Sequence, residues 1–256
     1  MDIIQAIVLG IIQGIFEWLP ISSEGQSMLI LLNAFHMNVN EALSLAIFMH
    51  LGTSFAVMIK FREEFRTIIT GKDRELTRII VISTVCTGLT GLPLYFLLKS
   101  TFTGGIAATL LIGVLLILTG VILGLNKGKG HKSRGSITRS DIILLGLVQG
   151  FAILPGISRS GVTLTTLLLR NVEQKTALVI SFLISVPVVL GAVALDAGMV
   201  FTLDPVQGMA LFLSSLLVGY IMMDFLLQYA DMVDFSLFCI SLGVLTIILS
   251  AGHYVL

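Results

Sequence analysis

The segment at 149–161, QGFAILPGISRSG, sets Arg159 between Ser158 and Ser160, with Gly156 and Gly161 flanking them and Thr163 just beyond. These residues suit a phosphate group: a guanidinium grips two oxygens through a forked pair of hydrogen bonds, and hydroxyls add further donors. A half-helix expected to begin near Gly161 would supply free N–H groups. The alternative is that Arg159 only ties two segments together through a carboxylate. Residues 13–26, QGIFEWLPISSEGQ, hold the complementary groups. Gln13 and Glu17 are four apart, hence on one helical face, and Ser22, Ser23, Glu24 and Gln26 follow. A carboxylate opposite Arg159 can hold a divalent cation together with phosphate oxygens, accept a proton from a nucleophile, or form a salt bridge without chemistry. One carboxylate and an amide are a weak metal motif, so a cation is inferred rather than read.

The elements that position these groups lie in a membrane. The chain of 256 residues is 56% hydrophobic and 12% charged, with formal net charge zero and mean hydropathy +1.03; nothing in it points to a nucleic acid. An arginine at the centre of a bilayer costs roughly 2.5–3.5 kcal/mol even on the lenient insertion scale, so Arg159 needs a polar surround. Six runs are long enough to cross: 41–60, 79–98, 106–125, 177–197, 207–228 and 235–255. Two others, 3–19 and 141–154, are short and break at Leu19-Pro20 and Leu154-Pro155-Gly156; each is followed by a polar turn and a second short piece, 26–35 and 161–169. That pattern predicts two re-entrant hairpins, tolerated only where protein or water surrounds the broken backbone. The N-terminus has no basic n-region and is expected to belong to the mature fold.

Basic residues cluster at 60–78 and at 126–139, two crossings apart, so both loops are expected to be cytoplasmic and both termini outside. A re-entrant 141–169 keeps Arg170 and Lys175 on the same side. Residues 7–25 and 143–161 align without a gap: Gly10, Gln13, Gly14, Ser22 and Gly25 match Gly146, Gln149, Gly150, Ser158 and Gly161. The chain reads as one membrane domain, 1–256, made of repeat 1 (1–125), a cytoplasmic linker (126–140) and repeat 2 (141–256). Each repeat holds a hairpin and an odd number of crossings, so the repeats are inverted and the tips, around 20–26 and 155–163, meet near the midplane. The expected fold class is all-α, with six transmembrane helices and two re-entrant helical hairpins in an inverted-topology repeat.

Other polar residues take plainer readings. Cys86 and Cys239 sit in apolar runs and read as packing. His50, inside a crossing, reads as a hydrogen-bonded core or supporting residue rather than a catalyst. His36, His131 and His253 are assigned no role, and Asp196 and Asp224 read as interfacial carboxylates. The linker NKGKGHKSRGS would touch anionic headgroups of membrane lipids.

With those motifs, the chain resembles the undecaprenyl-diphosphate phosphatases linked to bacitracin resistance. That family carries Glu or Gln, three residues, Glu, then Leu-Pro-x-Ser-Ser-x-Gly-His, and a second motif Pro-Gly-x-Ser-Arg-Ser-Gly-x-Thr; here these stand as QGIFEWLPISSEGQ and PGISRSGVT. HLGTSFAV and SFLISVPVVLGAVALD extend the likeness along nearly the whole chain. The resemblance implies a plasma-membrane enzyme that hydrolyses a polyprenyl diphosphate to the monophosphate with a divalent cation, Mg2+ or Ca2+, and recycles the lipid carrier of surface glycans. It implies catalytic roles for Glu17, Ser23 and Arg159, with Glu17 also a metal ligand. Substrate binding would fall to Gln13, Ser22, Gln26, Ser158, Arg159, Ser160, Gly161 and Thr163. The nucleophile is Ser23 or a water held by Glu17, and a homodimer is possible. Where the family commonly has His, this chain has Gln26, which cannot shuttle a proton; Glu24 is one substitute acceptor. The competing function is an inverted-repeat transporter or lipid-carrier flippase, because broken hairpins at the midplane also build transporters.

Overall fold

In hydrocarbon every backbone N–H and C=O must be satisfied within the protein, which leaves helices for a chain without strand-like alternation. The computed structural model is accordingly all-helical; it describes residues 1–101, 105–125, 130–197, 203–229 and 235–252. Among them stand eleven α-helices: α1 (Ile3–Phe16), α2 (Ser23–Asn33), α3 (Val39–Lys60), α4 (Arg62–Ile69), α5 (Arg74–Thr101), α6 (Gly105–Gly124), α7 (Arg139–Gly150), α8 (Arg159–Leu169), α9 (Gln174–Leu195), α10 (Pro205–Tyr229) and α11 (Phe235–Gly252). Five of them, α3, α5, α6, α9 and α10, contain stretches long and apolar enough to cross a membrane, and α1 and residues 239–250 are shorter apolar helices. The chain is a multi-pass membrane protein. The expected run at 235–255 corresponds to α11, and its last residues, 253–255, lie outside the described residues, as do 126–129 of the linker.

The breaks fall where the prolines put them, but both second pieces start earlier than expected. Helix α2 begins at Ser23 and α8 at Arg159, because Ser22 and Ser158 cap them by accepting the N–H of Gly25 and Gly161. Ser23 and Arg159 are therefore first residues of helices, not loop residues. Helix α4 is also additional: in the first basic connection, Phe65 and Ile68 pack on the core while Arg62 and Glu63 remain exposed.

Each broken pair packs its first helix against a long helix from the other half of the chain, α1 on α10 and α7 on α5, while α6 lies along α11 and α3 along α9. Glycine makes the first two approaches close. A Cβ on Gly14 would stand 2.7 Å from the Gly219 nitrogen, and one on Gly150 would stand 2.8 Å from the Gly91 nitrogen. Core residues such as Leu31, Met49, Ile112 and Phe182 are fully enclosed, whereas Val85, Leu89, Ile221 and Ile248 face outward as lipid-exposed side chains do. Cys86 and Cys239 are buried and unpaired by disulfide, and Cys239 also donates to the Pro20 carbonyl at 3.1 Å.

Candidate active site

The site grows from the end of α1. Glu17 continues that helix by one residue, its N–H on the Gln13 carbonyl at 2.9 Å, and the i, i+4 spacing brings the Gln13 amide to Glu17 Oε2 at 2.8 Å. Pro20 then turns the chain, and Ser22 adopts the left-handed φ of 58°, a conformation a non-glycine residue keeps only where its surroundings hold it. The Ser22 Oγ does that holding: it accepts Gly25 N–H at 3.2 Å and, across the molecule, Gly156 N–H at 3.0 Å. The two tips are thus joined by a direct hydrogen bond.

On the second tip, the Arg159 guanidinium reaches Glu17 Oε1 at 2.6 Å and the Ser181 carbonyl at 3.1 Å. It lies 5.9 Å above the Trp18 ring, whose indole is fixed by an N–H to the Gly219 carbonyl at 2.7 Å. A buried ion pair is tolerable only when its remaining valences are satisfied, and here Oε2 of the carboxylate is filled while Oε1, beside Arg159, keeps a lone pair. Besides Gln13, its Oε2 accepts the Ser23 hydroxyl at 2.8 Å and lies 3.2 Å from His50 Nε2. The Arg159–Glu17 link does tie the hairpins together, and the same link holds a serine hydroxyl and an imidazole in place.

Both α2 and α8 point their N-termini at this spot. Of the N–H groups a helix start leaves open, the cap hydroxyls take those of Gly25 and Gly161, and the first helical bonds begin only at Gln26 and Val162. Among the described residues the amides of Ser23, Glu24, Arg159 and Ser160 meet no acceptor and could serve a ligand. Two converging helix starts beside a guanidinium make an anion site.

A cavity of about 380 Å³ opens from these groups. Glu17, Ser23, His50 and Arg159 line it together with Leu92, Tyr95, Val189 and Leu195 of α5 and α9 and the polar Thr84, Thr87 and Gln149. Ser22, Ser158 and Ser160 also border it, but Gln13, Gln26, Gly161 and Thr163 do not. Gln13 instead orients Glu17. The Gln26 amide is turned away to the Ile21 carbonyl at 3.3 Å. Thr163 is committed to the Arg159 carbonyl at 2.7 Å and to Ser181 Oγ at 2.6 Å, and Gly161 provides close passage past Pro20. Among the described residues no group of three His, Cys, Asp or Glu side chains gathers as a metal cage. Glu24, however, lines the same cavity as Glu17 and buries an Oε1 without a hydrogen-bond partner. Two carboxylates with one orphaned oxygen fit a divalent cation whose other ligands are phosphate oxygens and water.

Asp196 and Asp224, read as interfacial, pair with Lys99 and Lys60. His50 is the residue whose part the sequence understated. It is hydrogen bonded, as expected, through Nδ1 to the Ala46 carbonyl at 2.7 Å, but its other nitrogen faces Ser23 and Glu17. The only signal in the chain was an imidazole amid an apolar crossing.

Residues 6–248 match the family described as bacitracin resistance protein BacA. A protein of Methanothrix thermoacetophila named undecaprenyl-diphosphatase is 49% identical over 253 residues, covering 98% of each chain. Proteins of the same name from Methanococcoides burtonii and Methanopyrus kandleri are 40% and 35% identical, the first over 97% of this chain and 98% of its own, the second over 95% and 94%.

Proposed function

Because this chain belongs to the family of the bacitracin resistance protein BacA, we propose that it is an undecaprenyl-diphosphatase, a membrane hydrolase that converts undecaprenyl diphosphate to the monophosphate and inorganic phosphate. The observation that carries this reading is the Arg159–Glu17–Ser23 cluster set between two helix starts and bordering a largely apolar cavity. The diphosphate lies at that cluster, its oxygens on the Arg159 guanidinium and on the open amides of α2 and α8, and the prenyl chain runs along α5 and α9 toward lipid. Ser23 Oγ attacks the terminal phosphorus. Glu17 aims that hydroxyl and holds Arg159, which with the helix starts takes up charge on the phosphoryl oxygens. Glu17 and Glu24 would hold a divalent cation, Mg2+ or Ca2+, which when bound supplies further neutralisation of the phosphate charge.

The finer architecture belongs to the same reading: six crossings, with α1–α2 and α7–α8 as re-entrant hairpins, in two inverted repeats joined by 126–140. The reciprocal packing of α1 on α10 and α7 on α5 supports it, since a two-fold relation exchanges these pairs. Placement of both basic loops on one face is supported by contacts around them, and their excess of lysine and arginine favours the cytoplasm for that face, with the termini outside. Arg134 pairs with Asp73 at 2.8 Å, and Lys132 and Arg170 both reach the buried Asp141. Single cysteines at Asn38 and Lys132, in a background lacking Cys86 and Cys239, should label from opposite faces, and labelling from one face would overturn the inverted arrangement.

The deciding experiment is phosphate release from undecaprenyl diphosphate by purified protein in detergent with Mg2+ or Ca2+, beside a Ser23→Ala control. Release by the wild type and its loss in the control is the expected result. A folded wild type that releases no phosphate would overturn the reading.

A further inference from the structure

We infer that His50, contributed by α3, is the proton acceptor and donor for Ser23, an inference that rests on the phosphatase reading above. The Nδ1 of His50 is 2.7 Å from the Ala46 carbonyl, which has no proton to give, so Nδ1 carries the hydrogen and Nε2 of the neutral ring is bare. That bare nitrogen lies 3.5 Å from Ser23 Oγ and borders the cavity. It is also 3.2 Å from Glu17 Oε2, so the imidazolium formed by proton uptake meets a carboxylate. A tautomer fixed by the Ala46 carbonyl behind the ring, a hydroxyl within reach of Nε2 and a carboxylate beside that same nitrogen fit the ring as a base that activates a serine. Glu17 itself is engaged by Arg159, Gln13 and Ser23, which fits it for orienting and charge balance. Gln26 is one turn beyond Ser23 on α2, but its amide donates to the Ile21 carbonyl and is neither an acid nor a base in water.

The proton balance closes. As the Ser23 Oγ–P bond forms, the hydroxyl proton passes to His50 Nε2. The bond from the terminal phosphorus to the bridging oxygen breaks, and the electron pair leaves with the prenyl monophosphate, which takes the proton from His50. A water then gives a proton to Nε2 and attacks the phosphoserine; the Oγ–P bond breaks, Ser23 recovers its proton from His50, and inorganic phosphate departs. The sum is one diphosphate and one water to monophosphate and phosphate.

The test is steady-state kinetics of purified wild type, Ser23→Ala, His50→Gln and His50→Ala on undecaprenyl diphosphate. His50→Gln is expected to lower kcat by about 10² to 10⁴, the usual contribution of acid–base catalysis, with KM little changed. Imidazole added to His50→Ala should restore turnover at least about tenfold, because the missing ring bordered an open cavity. An active wild type whose His50→Gln variant turns over within about twofold of it would overturn the inference while leaving the phosphatase intact. So would a folded, inactive His50→Ala that imidazole does not move, since that ring would then be packing. A wild type inactive in the same assay would remove both readings together.

Discussion

The two helical hairpins share a frame and divide the chemistry. Gln13, Gly14, Ser22 and Gly25 of the first correspond to Gln149, Gly150, Ser158 and Gly161 of the second. In each, a glycine lets the first helix press against a long neighbour, and a serine caps the second helix. The residues between these matched positions diverge. Glu17 of the first answers to Ile153 of the second, and Ser23 answers to Arg159. The carboxylate and the serine hydroxyl therefore sit on the first hairpin, with His50 of α3 beside them, and the guanidinium on the second. Even the paired glutamines are used differently: Gln13 donates to Glu17, whereas Gln149, with no carboxylate beside it, donates to Thr87 Oγ1 at 2.9 Å. Two hairpins with matched glycine, glutamine and serine positions aim two helix starts at one point, and their differing side chains make the pair asymmetric.

The strongest way to break this comparison is Glu17→Gln, which keeps the shape but removes the charge on which Arg159, Ser23 and His50 converge. Phosphate release should fall by about 10³ or more, while Ile153→Gln at the matched position should change it by less than about threefold. Equal losses at both positions would mean that the hairpins share the chemistry. Arg159→Lys comes next, with an expected loss of about 10² in kcat/KM in a protein that still purifies as a single species, because an ammonium cannot span two phosphate oxygens and Glu17 at once.

The caps sharpen the structural half of the comparison. Ser158→Ala should cost about 1 kcal/mol, an ordinary capping loss. Ser22→Ala should cost more, about 2 kcal/mol, because Ser22 Oγ also accepts the Gly156 amide of the other tip. Thermal midpoints of the two variants in one detergent measure the order; a Ser158 variant melting below the Ser22 variant would remove the tip-to-tip bond as the source of asymmetry. The smallest expected effect separates the glutamines. Gln13→Ala should slow turnover about fivefold through a less constrained Glu17, and Gln149→Ala should leave it within about twofold, since its donor goes to α5 rather than to the reacting groups.

Much of this was legible in the chain because it is local. Apolar run length, the breaks at Pro20 and Pro155, the paired Gly, Gln and Ser positions, and a lone Arg159 among hydroxyls each depend on neighbours a few residues away, and the family motifs led to Glu17, Ser23 and Arg159. The helix starts were misplaced by two or three residues because a serine cap extends a helix back over residues that composition reads as a turn. Which hydroxyls border the cavity and which only brace it was not legible either: Ser160 and Thr163 look alike in SRSGVT, but Thr163 turns to Arg159 and Ser181.

Sequence by itself determined that this is a helical membrane protein with two broken, related segments and a lone arginine among hydroxyls, since periodicity, capping and hydrophobic length are properties of contiguous residues. Only the tertiary structure decided that Arg159 meets Glu17 across 142 positions, and that His50, 27 positions from Ser23, rather than Glu24 or Gln26 beside it, faces the hydroxyl. Those pairings depend on how α3 and α8 are seated against α1 and α2, and that seating is the sum of many apolar contacts spread along the chain, none of which marks the polar residues it brings together.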